Sequence, residues 1–288
     1  MTYSQAAARA AAKLTGAGFA LVDAEADAAV LARHILKWDL ADWLGHMRDE
    51  AGAAFVTALD RAVVRRASHE PVAYITGTRE FYGRPFVVSP SVLIPRPETE
   101  LIVEETLKLS HSGILKPRNP ETLRIADIGT GSGCLAITLA LELPNARIEA
   151  TDISGPALRA AQLNANLLGA NGHVMWREGA FFAGSETTFD VIVSNPPYVP
   201  EDDRATMQPD VIDFEPPSAL FAGNDGLACI RELVRQTPEH LKPGGRLLFE
   251  FGFGQAGAVD ALIRSSRLIF VAIHNDLQGI PRVAVATV

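Results

Sequence analysis

Leu123-Arg124-Ile125-Ala126-Asp127-Ile128-Gly129-Thr130-Gly131-Ser132-Gly133-Cys134 is the stretch on which the fold turns. LRIADI, from Leu123 to Ile128, predicts a buried strand, and CLAITLALEL, from Cys134 to Leu143, predicts a helix that stops before Pro144. Between them, three glycines in G-x-G-x-G spacing form a strand-to-helix turn. Glycine there permits positive φ and lets a ligand approach the backbone closely. The dinucleotide fingerprint G-x-G-x-x-G/A would require Gly or Ala at position 134, where Cys134 stands. The next strand ends at Asp152, 19 residues after Gly133. A carboxylate at that strand end can accept both ribose hydroxyls of a nucleoside cofactor, so NAD and S-adenosylmethionine (SAM) both remain open. Asp127 either contacts that ligand or braces the loop by accepting backbone N–H bonds.

Outward from this stretch, strands and helices alternate. ARIEATDI, HVMWRE, FDVIVSN and RLLFEF read as strands, and SGPALRAAQLNANLLGA and 226–240 as helices. A last helix precedes two terminal strands, 268–273 and 282–288. Such alternation implies an α/β fold with a parallel, doubly wound, Rossmann-like sheet. Ligands of such sheets sit at the carboxyl ends of the strands. Met175, Trp176 and the Phe249–Phe251–Phe253 pattern read as sheet core.

One of those strand ends carries Asn195-Pro196-Pro197-Tyr198. Two prolines fix φ and remove two backbone donors, and each restricts the residue before it to extended geometry. The resulting stiff turn presents two acceptors, the Asn195 side-chain oxygen and the Pro196 carbonyl, with Tyr198 adding a flat face. That set suits a planar –CO–NH2 or aryl–NH2 group, whose two N–H bonds the acceptors hold while the ring stacks on its plane. Methyl transfer to such a nitrogen is governed by positioning, worth ~7–11 kcal/mol for well-oriented reactants. A sulfonium leaving group makes a strong general base unnecessary before transfer.

Upstream the character changes. Residues 1–70 carry apolar positions at helical spacing and no β-branched run, which predicts a small helical domain with Asp23 as one N-cap. Arg61, Arg65 and Arg66 fall on one face of it, either solvated or open to an acidic partner. Residues 71–97 have Gly and Pro punctuation with short β-branched pieces, as expected of a hairpin linker. The third segment, 98–288, is the α/β domain. Pro97-Glu98-Thr99-Glu100 opens a helix to about Ser110, and His111 to Thr122 reads as a surface loop.

At 288 residues with 48% hydrophobic and 21% charged residues, the chain can bury a sizeable core. It shows no apolar run long enough to span a bilayer and no apolar signal-peptide region. Two cysteines, Cys134 and Cys229, fit a reduced, cytoplasmic interior. The net charge of −8 leans against a phosphate-backbone grip, and seven histidines without ligand spacing predict no metal.

The sequence resembles the HemK/PrmC type of protein-(glutamine-N5) methyltransferase across nearly its whole length. The resemblance is carried by Glu70 to Gly77, Phe81-Tyr82-Gly83, Ile94 to Glu100, Asp127 to Gly133 and Asn195 to Tyr198. It continues through Glu215-Pro216, Gly226-Leu227, Pro243-Gly244-Gly245, Glu250, Gly252, Gln255, Asp276 to Gly279 and Arg282-Val283. It implies a class I SAM-dependent methyltransferase fold and a substrate glutamine in the Gly-Gly-Gln motif of peptide chain release factors. Gly129, Thr130, Gly131, Ser132, Gly133 and Asp152 would bind SAM, with Asp127 and Asn195 beside it. Asn195, Pro196, Pro197 and Tyr198 would hold the glutamine. Where the family commonly has Gly-Asp-Trp-Phe beside the adenine, this chain reads Gly179-Ala180-Phe181-Phe182, so Phe181 would stack there without the acid. The helical domain would dock the release factor. The Asn-Pro-Pro-Tyr turn alone is shared with DNA and RNA amino-methyltransferases, so a nucleic-acid adenine N6-methyltransferase is one alternative, and a non-catalytic SAM-binding protein is the alternative from another class.

Overall fold

The computed structural model describes residues 1–114, 123–182 and 184–288. The loop expected over His111 to Thr122 lies, from 115 onward, outside the described residues, and His111 itself closes a helix. The chain divides into two compact units, Met1–Thr78 with Gln208–Phe214, and Arg79–Met207 with Glu215–Val288.

The first unit is built from helices Tyr3–Gly16, Leu21–Leu36, Leu40–His46, Ala53–Ala67 and Val72–Thr76. Alanines at Ala6, Ala10, Ala28 and Ala32 let the helices approach closely around Leu14, Leu31 and Leu59. Thr2 caps helix Tyr3–Gly16 with a capping box, its hydroxyl accepting from the Gln5 N–H while the Gln5 side chain accepts from the Thr2 N–H. Asp23 is not an N-cap. Its helix begins at Leu21, and Asp23 sits in the first turn, where a negative charge is favoured by the helix dipole. Arg66 does not belong to an exposed arginine face. It is buried, donates to Asp27 at 2.7 Å and lies over the Phe19 ring at 4.2 Å. Arg65 is bonded to Glu70.

β1 (Thr78–Phe81) and β2 (Arg84–Val87) pair as a two-stranded hairpin. The second unit is organised on a seven-stranded sheet of β3 (Arg124–Ile128), β4 (Arg147–Asp152), β5 (Val174–Glu178), β6 (Phe189–Ser194), β7 (Leu241–Glu250), β8 (Ile269–Asn275) and β9 (Pro281–Thr287). The strand order is β5-β4-β3-β6-β7-β9-β8. Successive residues point to opposite faces, so Ile125, Val191, Val193 and Leu248 enter one core while Ala126, Ile192, Leu247 and Phe249 enter the other. Helices Glu100–His111, Cys134–Glu142 and Gly155–Leu168 contribute to the first core, and Ala228–His240 and Ala256–Arg264 to the second.

Five strands are parallel, as the alternation predicts, but the sheet as a whole is mixed. β9 runs antiparallel to both β7 and β8 and lies between them. The reason is the connection. A parallel crossover needs a dozen or more residues, and only the short Asp276–Ile280 turn joins β8 to β9. Asp276 closes that turn, its Oδ1 accepting from the Gln278 and Ile280 N–H groups at 2.9 Å each. Phe249 and Phe251 are core residues as expected, whereas Phe253 (78% exposed) and Met175 (60% exposed) lie on the surface. The Phe251 N–H still donates to the Arg282 carbonyl at 3.0 Å, whereas Phe253 falls beyond this last pairing, where alternation no longer fixes its face. Among the described residues, no helix is long and apolar enough to cross a membrane.

Candidate active site

β3 has β4 on one side and β6 on the other, so the strand order reverses there, and a crevice opens at the carboxyl ends. A cavity of about 290 Å³ fills this crevice, lined by the glycine loop, the end of β4, the Asn-Pro-Pro turn and the residues leading into helix Glu100–His111.

The glycine loop is held from below. The Gly129 and Thr130 N–H groups both donate to the Thr151 carbonyl at 2.9 Å. Gly133 has φ +81°, and a Cβ there would meet Ile137 Cδ1 at 2.8 Å, so the helix and loop pack too tightly for a side chain. Beside Gly129 and Gly131, in contrast, the space is open. Asp152 lines the cavity and locks the loop to β4. Its Oδ2 accepts from the Gly131 N–H at 2.9 Å and its Oδ1 from the Ser154 N–H at 2.8 Å. A carboxylate offers about four lone-pair sites, so two remain for a ligand. Burial raises the Asp152 carboxyl above its ordinary range, and these two N–H donors oppose that.

Asp127 is not in the cavity wall. It is fully buried beneath the loop, accepting from the Thr130 hydroxyl at 2.6 Å and the Ala136 N–H at 3.1 Å. Its other oxygen has no hydrogen-bond partner among the described residues. Burial pushes its carboxyl up to about 7. This geometry supports the bracing role for Asp127 over direct ligand contact.

Phe181 does line the cavity, with φ +51°, a left-handed conformation that is unusual for an aromatic residue. Its carbonyl accepts from the Thr151 hydroxyl at 2.6 Å, which helps hold it there. Arg96 is the one cation and Asp152 the one carboxylate among the described residues of the wall. Arg96 pairs with the buried Glu215 at 2.5 Å, and Glu215 also accepts from the Ile94 N–H at 3.1 Å.

The Asn-Pro-Pro turn follows β6 directly, and the Ser194 hydroxyl ties it to β3 by donating to the Ile128 carbonyl at 2.7 Å. Asn195, Pro196 and Pro197 line the cavity. Tyr198 does not. Its ring packs against the apolar core, and its hydroxyl donates to Glu250 Oε1 at 3.0 Å. The flat face expected of Tyr198 is therefore outside the cavity wall. Asn195 Nδ2 donates to Thr99 Oγ1 at 2.9 Å, and the Thr99 hydroxyl donates to Glu250 Oε2 at 2.6 Å. Glu250 is 1% exposed; burial raises its carboxyl, while the two hydroxyl donors favour the ionised form. Gln255 supports the turn from the other side, with its Nε2 donating to the Tyr198 carbonyl at 2.9 Å. Gly226 makes room for this, since a Cβ there would lie 2.2 Å from the Tyr198 carbonyl oxygen.

Reasoning from the sequence gave Thr99, Glu250 and Gln255 no task. The signals for Glu250 were its place in the family resemblance and an acid set among Leu247, Leu248, Phe249 and Phe251. Open space beside two glycines, a carboxylate with spare lone pairs and an aromatic wall together fit a nucleoside with an amino-acid tail, as SAM is.

Comparison with known proteins agrees. Residues 5–77 match the PrmC N-terminal domain family, and residues 112–213 match the methyltransferase small domain family. The release factor glutamine methyltransferase of Neisseria gonorrhoeae is 48% identical over 227 residues, covering 78% of this chain and 79% of that protein. The Xylella fastidiosa protein of the same name is 42% identical over 261 residues, covering 90% and 91%. Among solved structures, the catalytic domain of hMettl16 in complex with an RNA hairpin superposes with TM-score 0.55 at 15% identity, covering 77% of this chain and 81% of that one. The N-terminal domain of human METTL16 in complex with SAH gives TM-score 0.51 at 12% identity, covering 88% and 90%. These two establish the Rossmann-like methyltransferase fold alone. With relatives this similar over most of both chains, and a crevice suited to the cofactor, the chain belongs to the release factor glutamine methyltransferase family of SAM-dependent methyltransferases.

Proposed function

We propose that this enzyme transfers a methyl group from SAM to the side-chain amide nitrogen N5 of the glutamine in the Gly-Gly-Gln motif of peptide chain release factors. The observation that carries the reading is the Asn195 amide, anchored through its nitrogen to Thr99 at the cavity wall, which leaves its oxygen as an acceptor. Bound SAM supplies an electrophilic methyl on a sulfonium that departs as a neutral thioether. Gly129 to Gly133 would give that cofactor backbone contact, Asp152 would accept its ribose hydroxyls and Phe181 would stack on its adenine. Asn195 Oδ1 and the Pro196 carbonyl accept the two N–H bonds of the glutamine amide. Held there, the amide nitrogen would present its lone pair, perpendicular to the amide plane, to the cofactor side of the cavity. Pro197 stiffens the turn, and Tyr198, anchored on Glu250, fixes its far end. Transfer would leave one surplus proton on the nitrogen, which Asn195 Oδ1 and the Pro196 carbonyl would hold until it passes to solvent water, so no strong base is required before transfer.

In this reading residues 1–70 dock the release factor, 71–97 link the two parts and 98–288 carry the chemistry, all in the bacterial cytoplasm. The test is a transfer assay with labelled SAM and unmethylated release factor, read by peptide mass spectrometry. One methyl on the Gly-Gly-Gln glutamine is the expected result. Label in nucleic acid alone would replace the acceptor, and SAM binding without transfer to any candidate would favour a non-catalytic role.

A further inference from the structure

We infer that Glu250, acting through Thr99, sets the Asn195 amide oxygen-first toward the acceptor, and that this relay makes the site select an amide over a carboxylate. The inference rests on the reading of Asn195 as the acceptor-holding residue and adds what fixes its direction.

An asparagine amide has an acceptor end and a donor end of nearly the same shape, and nothing intrinsic to it decides which faces a ligand. The relay supplies the decision. Glu250 is buried, and both of its oxygens receive hydroxyl protons, from Thr99 at 2.6 Å and Tyr198 at 3.0 Å. Among the described residues no cation is bonded to it; Arg282, whose charge acts on it, is bonded to Asp276. In its ionised form, which the two hydroxyl donors favour, the Glu250 carboxylate only accepts. The single Thr99 proton is therefore committed to Glu250, and Thr99 faces Asn195 with lone pairs. Only Nδ2 can answer them, which it does at 2.9 Å. Turning the amide over would set Oδ1 against those lone pairs, losing one hydrogen bond and creating a repulsive contact. The bias this provides is ~10–100-fold, the weight of one hydrogen bond lost and a polar atom left unmatched.

The consequence is a turn that presents acceptors and no matching donor, while Arg96, the cation of the wall, is engaged by Glu215. Pro196 and Pro197 have no N–H, so the turn offers the Asn195 oxygen and the Pro196 carbonyl and nothing that would satisfy a carboxylate. A glutamine –NH2 is welcomed, and the deamidated glutamate is refused. Glu250 and Thr99 are positioning residues, since neither needs to touch the substrate for this to work.

The experiment uses the full-length enzyme with two full-length release factors, one carrying Gly-Gly-Gln and one carrying Gly-Gly-Glu. Thr99→Val keeps the shape and removes the hydroxyl, and Thr99→Ser keeps the hydroxyl. Glu250→Gln keeps the packing but replaces one acceptor by a donor, so the relay can reverse. Read for each are kcat, the SAM dissociation constant, and the ratio of glutamate-form to glutamine-form release-factor affinity. Thr99→Val is expected to lower kcat ~10–100-fold and to shift that ratio toward the glutamate form by a similar factor, with SAM affinity unchanged. Thr99→Ser should stay within ~3-fold of the parent, and Glu250→Gln should fall between. Unchanged kcat and ratio in both Thr99→Val and Glu250→Gln overturn the relay. So does a fall in kcat that leaves the ratio unmoved or tracks a loss of SAM affinity, because either marks a merely structural role. Failure of the parent enzyme to methylate the Gly-Gly-Gln factor at all would instead sink the substrate assignment.

Discussion

Replacing Asp152 tests the cofactor end of the site. Its two oxygens accept from the Gly131 and Ser154 N–H groups, at 2.9 and 2.8 Å. Two ribose hydroxyls would add two hydrogen bonds to a charged group, each worth ~1.5–3 kcal/mol. Asp152→Ala forfeits both, a loss of ~3–6 kcal/mol before relaxation and solvent are allowed for. Taking the lower part of that range, the SAM dissociation constant should rise ~100-fold. Asp152→Asn is not the mild alternative it looks. One end of the new amide is a donor, and it must face either the Gly131 or the Ser154 N–H. One backbone bond is lost with certainty, at ~1–3 kcal/mol, so the ligand-free protein should melt a few degrees lower as well as binding SAM less tightly. Calorimetric titration with SAM reads the first effect and a thermal scan the second. At saturating SAM, kcat should stay within a few-fold, since the glutamine end of the site is untouched. A SAM dissociation constant within ~3-fold of the parent in both variants would refute the assignment of Asp152 as the ribose acceptor.

Other outcomes follow from the same geometry. Asn195→Ala should lower kcat ~100-fold or more and leave SAM affinity within a few-fold; unchanged turnover removes Asn195 from its role. Gly226→Ala would drive a Cβ to within 2.2 Å of the Tyr198 carbonyl at φ +71°, so the turn must shift, and transfer should fall while SAM still binds. Normal transfer in that variant would mean the turn tolerates displacement. Asp127 holds its proton up to about pH 7 when folded, against an ordinary value of 3.8. The unfolded chain releases that proton earlier, so the stabilisation is full below pH ~4 and is lost as pH rises through ~7, on the order of 4 kcal/mol in all. Asp127→Asn should flatten that slope in melts compared at pH 5 and pH 8, and an unaltered slope would refute the burial argument.

The parts of this protein that could be read from the sequence are those whose geometry is covalent and local. Gly129, Gly131 and Gly133 follow an apolar strand and precede an apolar helix, and backbone sterics leave few conformations for that succession. Pro196 and Pro197 fix their own φ wherever they occur, so the stiff acceptor turn was legible before its surroundings were known. Asp152 was legible too, because a strand after a crossover helix brings its end back to the glycine loop. Other decisions were not local. β9 takes its place between β7 and β8 because the short Asp276–Ile280 turn reverses the chain, and the alternation of strands and helices alone does not give that order. Thr99 meets Glu250 across 151 positions and Asn195 across 96, with no spacing rule to announce either contact. Tyr198 has the chemistry of a stacking face but is turned toward Glu250, and Asp127 has that of a ligand but lies under the loop. The sequence by itself determined which groups are offered at the carboxyl edge of the sheet. Tertiary structure decided which of them face the cavity and in which direction their hydrogen bonds run, because a polar side chain takes its orientation from partners that only the folded sheet brings within reach.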